Sequence, residues 1–162
     1  MKRLWILLFV TFSTAAFGSE CELDNEYLRA MPDVEVTFAR ADNEPLTITA
    51  RLADNNQTRA AGFQRVCKSV IAEQPILFLF QRERKPRFHM HNVVAPIEIT
   101  FIRADGTLDS SHLMQPYSIL LRDKPTYGSQ GLVIAALETR PGFLNDHGID
   151  AATKITWKTK PQ

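Results

Sequence analysis

Apolar and polar residues alternate along much of the chain with the two-residue period of strands that bury one face. The period is clearest where Val34, Val36 and Phe38 alternate with polar residues. An uninterrupted apolar run over 76–80 predicts instead a strand that is covered on both faces. In total the pattern predicts about seven strands, over 33–39, 46–52, 76–80, 97–102, 107–114, 132–137 and 154–158.

Two short helices are predicted between these strands. The first covers 57–64 and follows an N-cap at Asp54 or Asn55, and the second covers 141–146, whereas 68–75 is predicted to be a loop. Turn signals separate the strands at short intervals, which favours a curved sheet over a fold that alternates strands with long helices. The predicted fold class is α+β and predominantly β, with a strongly curved antiparallel sheet or small barrel and two short helices.

The first 18 residues have the order of a secretory signal peptide, with a basic head, a short apolar middle and a small-residue end at Gly18. The apolar middle, 4–12, is shorter than the ~20 residues of a membrane-spanning helix. We therefore predict a periplasmic or secreted protein with no integral membrane segment after signal removal. The predicted organisation is a signal peptide over 1–18, an arm and first strand over 19–45, and a domain over 46–158.

The charge balance of the mature chain is nearly neutral. Removal of 1–18 takes away Lys2 and Arg3 and no acidic residue, so 19 basic and 18 acidic side chains become 17 and 18. Such a chain offers no basic stripe for nucleic acid, and its length is that of one domain that can bury a core without a metal. We expect a monomer that does not bind nucleic acid.

Two cysteines, Cys21 and Cys67, remain after the predicted cleavage. Exported proteins meet an oxidising compartment, where cysteines commonly pair. A disulfide would attach the N-terminal arm to the body of the domain, and the alternative is two unpaired thiols that lie too far apart to meet. We expect the disulfide and no catalytic role for either thiol.

The segment 87–106 carries the most chemistry in the chain. His89 and His91 form an H-x-H pair, and on a strand this spacing sends both imidazoles to one face, where they could bind one divalent metal. Glu98 or His112, on neighbouring strands, could provide a third ligand. The alternative, which we favour, is a pair of partly exposed polar residues on the outer face of a sheet, because the sequence places only two ligands close together.

A second set of residues suggests a pocket for a small ligand. Phe88, Met90 and Asn92 share one side of the extended segment, opposite the two histidines. Polar residues at the ends of predicted elements, beside apolar runs, could surround such a pocket, namely Arg65, Asn92, Glu98 and Glu138. The favoured alternative for these polar residues is structural, with Arg65 in an ion pair with a glutamate and Asn92 bonded to backbone in a turn.

The order of several short motifs resembles a known family. The motifs are Asp54-Asn55, AGFQR at 61–65, ILFLF at 76–80, FHMHN at 88–92, PIEITFI at 96–102 followed by ADG, and ALE at 136–138 before Gly142 and Gly148. Together they are similar to the bacterial and archaeal domain of unknown function 192 family over about residues 46–158. The resemblance implies a compact β-rich fold and no established activity. Where the family has a Trp, a basic residue and an Asp, this chain has His89, His91 and Glu98, so a role that rests on the Trp would not transfer.

The sequence shows no motif for nucleophilic catalysis. Ser111 and His112 would point to opposite faces of a strand, and no nucleophile elbow, phosphate-binding glycine loop or paired-carboxylate motif occurs. The basic segment 81–87 is predicted to be a solvated loop. We therefore predict a non-enzymatic extracytoplasmic binding or accessory module without a cofactor, whose partner is an unknown small ligand or protein. Two alternatives stay open: a hydrolytic or sequestering site with one divalent metal on the histidine pair, and a scaffold whose partner docks on the edge strand 154–158.

Overall fold

The computed structural model describes residues 21–41, 44–118 and 120–159, and the predicted signal peptide lies outside them. Seven of the nine strands in this part of the chain form one sheet, which curls into half a barrel. In chain order the strands are β1 (Asp33–Ala39), β2 (Leu46–Ala53), β3 (Ile76–Arg84), β4 (Arg87–Phe88), β5 (Ile97–Ile102), β6 (Leu108–Met114), β7 (Tyr127–Gly128), β8 (Val133–Thr139) and β9 (Lys154–Thr159).

The large sheet has the order β6-β5-β8-β3-β2-β1-β9, and every neighbouring pair is antiparallel except β2 and β3. The short strands β4 and β7 pair with each other. The β-rich fold class predicted from the sequence is confirmed, but the sheet is not wholly antiparallel. Parallel neighbours need a connection that returns to the same end of the sheet, and residues 54–75 make that crossover between β2 and β3.

The described residues contain four short helices rather than the predicted two, namely α1 (Glu26–Ala30), α2 (Asn56–Ala61), α3 (Lys68–Glu73) and α4 (Phe143–Asp146). Of these, α2 and α4 are the predicted helices, and α2 has Asn55 as its N-cap. The prediction of a loop over 68–75 was wrong. The N-cap of α3 is Cys67, which makes no capping hydrogen bond, so the usual start signal is missing from the sequence. Within the same residues, no helix is long and apolar enough to cross a membrane.

Both faces of the sheet are covered, because alternate residues of the central strands pack into two separate apolar clusters. On β3, Phe78 lies in the first cluster and Leu77 in the second, as the uninterrupted apolar run predicts. The second cluster is covered by the region of α4. The arm and the crossover cover the first cluster with Leu28, Met31, Phe63, Val66 and Ile71.

The two edges of the sheet meet at the turn between β5 and β6. The N–H of Ile155 in β9 donates to the carbonyl oxygen of Gly106 at 2.8 Å, and Thr107 forms a β-bridge with Lys154. Gly106 has a φ of +80°, and a Cβ added there would lie 2.7 Å from the carbonyl oxygen of Ile155. Only glycine allows this approach, and the contact ties the ends of the curled sheet together.

The N-terminal arm is attached to the body through its cysteine and its backbone. The sulfur atoms of Cys21 and Cys67 lie 2.02 Å apart, at disulfide distance, which confirms the predicted pairing. Beside them Glu22 forms a β-bridge with Val66. The N–H of Glu22 donates to the carbonyl oxygen of Arg65 at 2.6 Å, and the N–H of Cys67 donates to the carbonyl oxygen of Glu22 at 3.1 Å.

A buried carboxylate, Asp109 on β6, holds the segment that follows β7. It accepts hydrogen bonds from the backbone N–H groups of Gln130 and Gly131, at 2.7 and 3.0 Å, and from the Ser110 hydroxyl at 3.0 Å. Nη2 of Arg103 lies 2.8 Å from its Oδ1 atom. Burial alone would raise the pKa of Asp109, but these bonds and the charge of Arg103 outweigh burial and hold the pKa below its ordinary value.

Asp109→Asn is expected to lower the free energy of unfolding by about 2–3 kcal/mol. The Asn side chain has no charge, and its NH2 group, a hydrogen-bond donor, would face the N–H and O–H donors that now bond to the carboxylate. Urea unfolding measures this loss. Since the folded pKa of Asp109 is depressed, its contribution is present above the ordinary pKa of 3.8 and is lost as the pH falls through the folded value. The difference from the wild type should therefore shrink in acid. Asp123→Asn, at an exposed position, should cost less than about 0.5 kcal/mol, and an equal cost for both variants would contradict the role of Asp109.

Candidate functional site

A cavity of about 340 Å³ opens on the first face of the sheet, between α2, β3 and β4. Four phenylalanine side chains line it, those of Phe63, Phe78, Phe80 and Phe88. Phe88 packs edge-on against Phe78, with ring centroids 5.0 Å apart and an interplanar angle of 87°, an arrangement that aromatic pairs prefer. The cavity thus has an aromatic wall, and the polar side chains that complete its lining decide what can bind.

One carboxyl group, that of Glu138 on β8, lines this recess, which we call the Glu138 cavity. Its partners in the sheet are Ile76 on β3 and Ile99 on β5, both fully buried. Glu138 is 5% exposed, and its Oε2 atom has no hydrogen-bond partner within the described residues. Burial raises the pKa of Glu138 to about 8, because a low-dielectric environment disfavours the charged form. At neutral pH the group is therefore a neutral acid that can donate a hydrogen bond.

Three guanidinium groups also line the Glu138 cavity, those of Arg59, Arg84 and Arg87. Nη1 of Arg59 donates to the carbonyl oxygen of Leu79 at 2.9 Å. The guanidinium carbon of Arg84 lies 5.6 Å from the ring centroid of Phe80, a cation–π contact. Among the residues that the structure describes, none of the three arginines forms an ion pair. The cavity therefore combines a neutral acid with positive charges that no described carboxylate pairs with.

Of the residues predicted to bind a ligand, Phe88 and Glu138 come together in this cavity, and His89 lines it as well. Met90 is 1% exposed and packs inside the first apolar cluster, so it supports the site from within the core and does not line it. The remaining predicted residues are placed elsewhere.

Arg65 and Asn92 shape the backbone and do not line the cavity. Both have φ in the left-handed region, at 63° and 55°, and the N–H of Arg65 donates to the carbonyl oxygen of Asn92 at 2.7 Å. Non-glycine residues adopt this region only where the surrounding structure holds them. The exposed Arg65 side chain has its Nε atom 3.8 Å from Oε1 of Glu22. This is the ion pair with a glutamate that the structural alternative describes.

Glu98 and His112 have other partners. Oε2 of Glu98 accepts a hydrogen bond from the backbone N–H of Leu144 in α4 at 3.2 Å. Nε2 of His112 lies 3.1 Å from the carbonyl oxygen of Gly128, and its ring packs beside Tyr127 with centroids 6.1 Å apart. Neither residue joins the histidine pair as a third metal ligand.

The histidine pair lies on a bend and not on a strand, because β4 ends at Phe88 and a turn follows at 91–92. The N–H of His91 donates to Nδ1 of His89 at 3.3 Å, and the two rings lie 6.2 Å apart between centroids. Within the described ranges, no three His, Cys, Asp or Glu side chains are grouped as a metal site. The shared strand face that the H-x-H spacing predicts is therefore not formed.

The DUF192 family model, described as "Uncharacterized ACR", matches residues 37–157. The chain belongs to the DUF192 family. No curated protein matches it. One solved structure with this fold is a "putative transcription regulator" from Sinorhizobium meliloti 1021, with a TM-score of 0.68 and 22% identity, covering 78% of this chain and 95% of that one. Another is a protein of unknown function from Novosphingobium aromaticivorans DSM 12444, with a TM-score of 0.65 and 23% identity, covering 76% and 84%. At these identities the likeness is one of fold alone.

In this DUF192 protein the cavity depends on residues that the sequence analysis did not select. The segment 81–87, predicted to be a solvated loop, instead continues β3 to Arg84 and begins β4 at Arg87. A signal was present, because Pro86 is the first turn-forming residue after the apolar run. Phe63 lies on the crossover, and nothing in its own neighbourhood in the sequence points to the cavity.

Proposed function

We propose that this DUF192 protein is an exported, non-enzymatic binding module that holds a small organic ligand in the Glu138 cavity. The observation that carries the proposal is the buried Oε2 atom of Glu138, which has no hydrogen-bond partner among the described residues, on a side chain that lines the cavity. An unpaired buried polar group costs about 1–3 kcal/mol, and folded proteins leave few such groups. A ligand with a hydrogen-bond acceptor would satisfy the protonated acid.

Two features support export. Residues 1–18 have the order of a signal peptide, and Cys21 and Cys67 lie at disulfide distance, as is usual in oxidising compartments. The arm that precedes the proposed domain over 46–158 packs Leu28 and Met31 into the first apolar cluster, so it folds with that domain. A periplasmic or secreted module of this kind meets small molecules from outside the cytoplasm.

The composition of the cavity wall favours binding over catalysis. The described residues that line it include no Ser, Thr, Cys, Tyr or Lys, so its wall offers no hydroxyl, thiol or amine nucleophile. The metal alternative needs a third ligand to join His89 and His91. The scaffold alternative needs a free edge on β9, and the turn at 106–107 already occupies the first two residues of that edge, Lys154 and Ile155.

Ala61→Phe is expected to weaken binding strongly, because Ala61 lines the cavity and a larger side chain there would occupy part of it. The test is an amide NMR titration of the labelled protein with mixtures of small organic acids, alcohols and amines. In the wild type, the shifts should cluster at Gly62, Phe88 and Glu138, and Ala61→Phe should weaken binding at least ~10-fold. Ala72→Phe makes the same change at an exposed position of α3 and should leave the shifts in place. A wild-type protein whose amides respond to no probe, or an Ala61→Phe variant that binds normally, would refute the proposal.

A further inference from the structure

We infer that the ligand of the Glu138 cavity is an organic anion with an apolar body, whose acidic group binds at the guanidinium groups of Arg84 and Arg87. The inference rests on the proposed binding function and names the class of ligand. Three observations support it: a second depression adjoins the cavity, arginine side chains lie at the boundary between the two, and the interior is small and has one acidic group.

The Glu138 cavity continues directly into a second depression that is rich in arginine. The second depression shares Asn56, Arg59, Phe80 and Arg84 with the first and adds Gln81 and Arg82. The Glu138 cavity therefore has an aromatic wall and a cationic margin, where Arg59 and Arg84 line both depressions and Arg87 lines the first. A ligand that matches the wall and the margin has an apolar part and a negatively charged part.

The charge at this boundary is available to a ligand. Arg84 and Arg87 are exposed, and in the part of the chain that the structure describes no carboxylate pairs with either. Arg87 keeps its orientation through Nε, which donates to Oγ1 of Thr126 at 3.0 Å. Positive charge beside a low-dielectric recess attracts anions and repels cations. The planar guanidinium group binds carboxylate or phosphate through two parallel hydrogen bonds.

The interior sets the rest of the ligand. A volume of about 340 Å³ lies at the small end of ligand pockets, so it suits a body of about one ring or a short chain. Glu138 offers one hydrogen-bond donor to this body. A second negative charge at the inner end would be buried beside the Glu138 carboxyl group, which is costly, so the negative charge belongs at the outer end alone.

The experiment compares three probes with one shared body, namely 4-phenylbutyrate, 4-phenylbutanol and 4-phenylbutylamine, by calorimetry at neutral pH and low salt. The carboxylate should bind at least ~10-fold more tightly than the alcohol, and the amine should bind most weakly. In the Arg84→Gln/Arg87→Gln variant the affinity for the carboxylate should fall to about that for the alcohol. Arg59 is not substituted, because its guanidinium group donates a hydrogen bond to the carbonyl oxygen of Leu79.

A matched control removes two positive charges from an exposed loop, in the Arg122→Gln/Lys124→Gln variant. Its affinity for the carboxylate should stay within about twofold of the wild type. Equal affinities for all three probes, or tightest binding of the amine, would overturn the ligand class and leave the binding module standing. A preference for the anion that survives in Arg84→Gln/Arg87→Gln would overturn the assignment to these arginines. If none of the three probes binds, the inferred ligand class fails, and the titration with the wider set of acids, alcohols and amines decides the binding module.

Discussion

As the pH rises from mild acid to about 9, the free energy of unfolding of the Glu138→Gln variant is expected to increase by about 5 kcal/mol relative to that of the wild type. Folded Glu138 keeps its proton up to about pH 8, whereas the unfolded chain releases it near the ordinary pKa of 4.5. Folding therefore takes up a proton between these values, and stability falls by about 1.4 kcal/mol per pH unit. The contribution of Glu138 is fully present below pH 4.5 and is lost as the pH rises to about 8. Gln does not titrate, so the variant has no such loss.

Urea unfolding across this pH window measures the difference, with Glu73→Gln as the control because Glu73 is exposed on α3. The control should follow the wild type at every pH. A constant difference between Glu138→Gln and the wild type would mean that folded Glu138 is ionised in the same range as the unfolded residue. The proposed site would then have no neutral donor.

The strands could be predicted because their signal is local. Val34, Val36 and Phe38 are fully buried, as their alternation with polar residues requires. An alternating strand buries its apolar face whichever strands lie beside it. The parallel pairing of β2 with β3 is different, since it depends on where the crossover takes the chain. No local pattern states that direction.

The candidate site was less predictable, because its residues come together only through the pairing of strands that are distant in the sequence. The pKa of Glu138 is raised by burial between Ile76 and Ile99, which belong to two other strands. From its own neighbours in the sequence, Glu138 is simply an acidic residue near the end of an apolar run. Its place beside Phe63 and Phe88 follows only from the three-dimensional packing.

The segment that contains His89 and His91 shows that a strand extends only as far as the strand beside it. The alternation around FHMHN predicts an extended segment through Asn92, but β4 ends at Phe88, since the strand it pairs with, β7, is equally short. After Phe88 the chain bends, and Asn92 takes a left-handed conformation that bonds it to Arg65. The turn therefore decides where His89 and His91 point, and the two-residue period of a strand does not apply there.

Replacing Cys21 and Cys67 together by Ala is expected to lower the free energy of unfolding by about 4 kcal/mol. The cysteines are 46 residues apart, and a cross-link of that length restricts the unfolded chain more than the folded one. The arm should stay docked in the folded variant, because Leu28 and Met31 are 4% and 1% exposed in the first cluster. Urea unfolding should thus show a lower midpoint with a single transition.

A reducing agent provides the control for this prediction. It should destabilise the wild type by about as much as the double substitution and leave the Ala variant unchanged, because only the wild type has a disulfide to lose. A loss below about 1 kcal/mol would contradict the constraint that the cross-link places on the unfolded chain.

The same comparison tests export. Protein recovered from an oxidising compartment should be two hydrogen atoms lighter than the reduced chain and should have the higher free energy of unfolding. Protein made in the cytoplasm without residues 1–18 should match the Ala variant until it is oxidised.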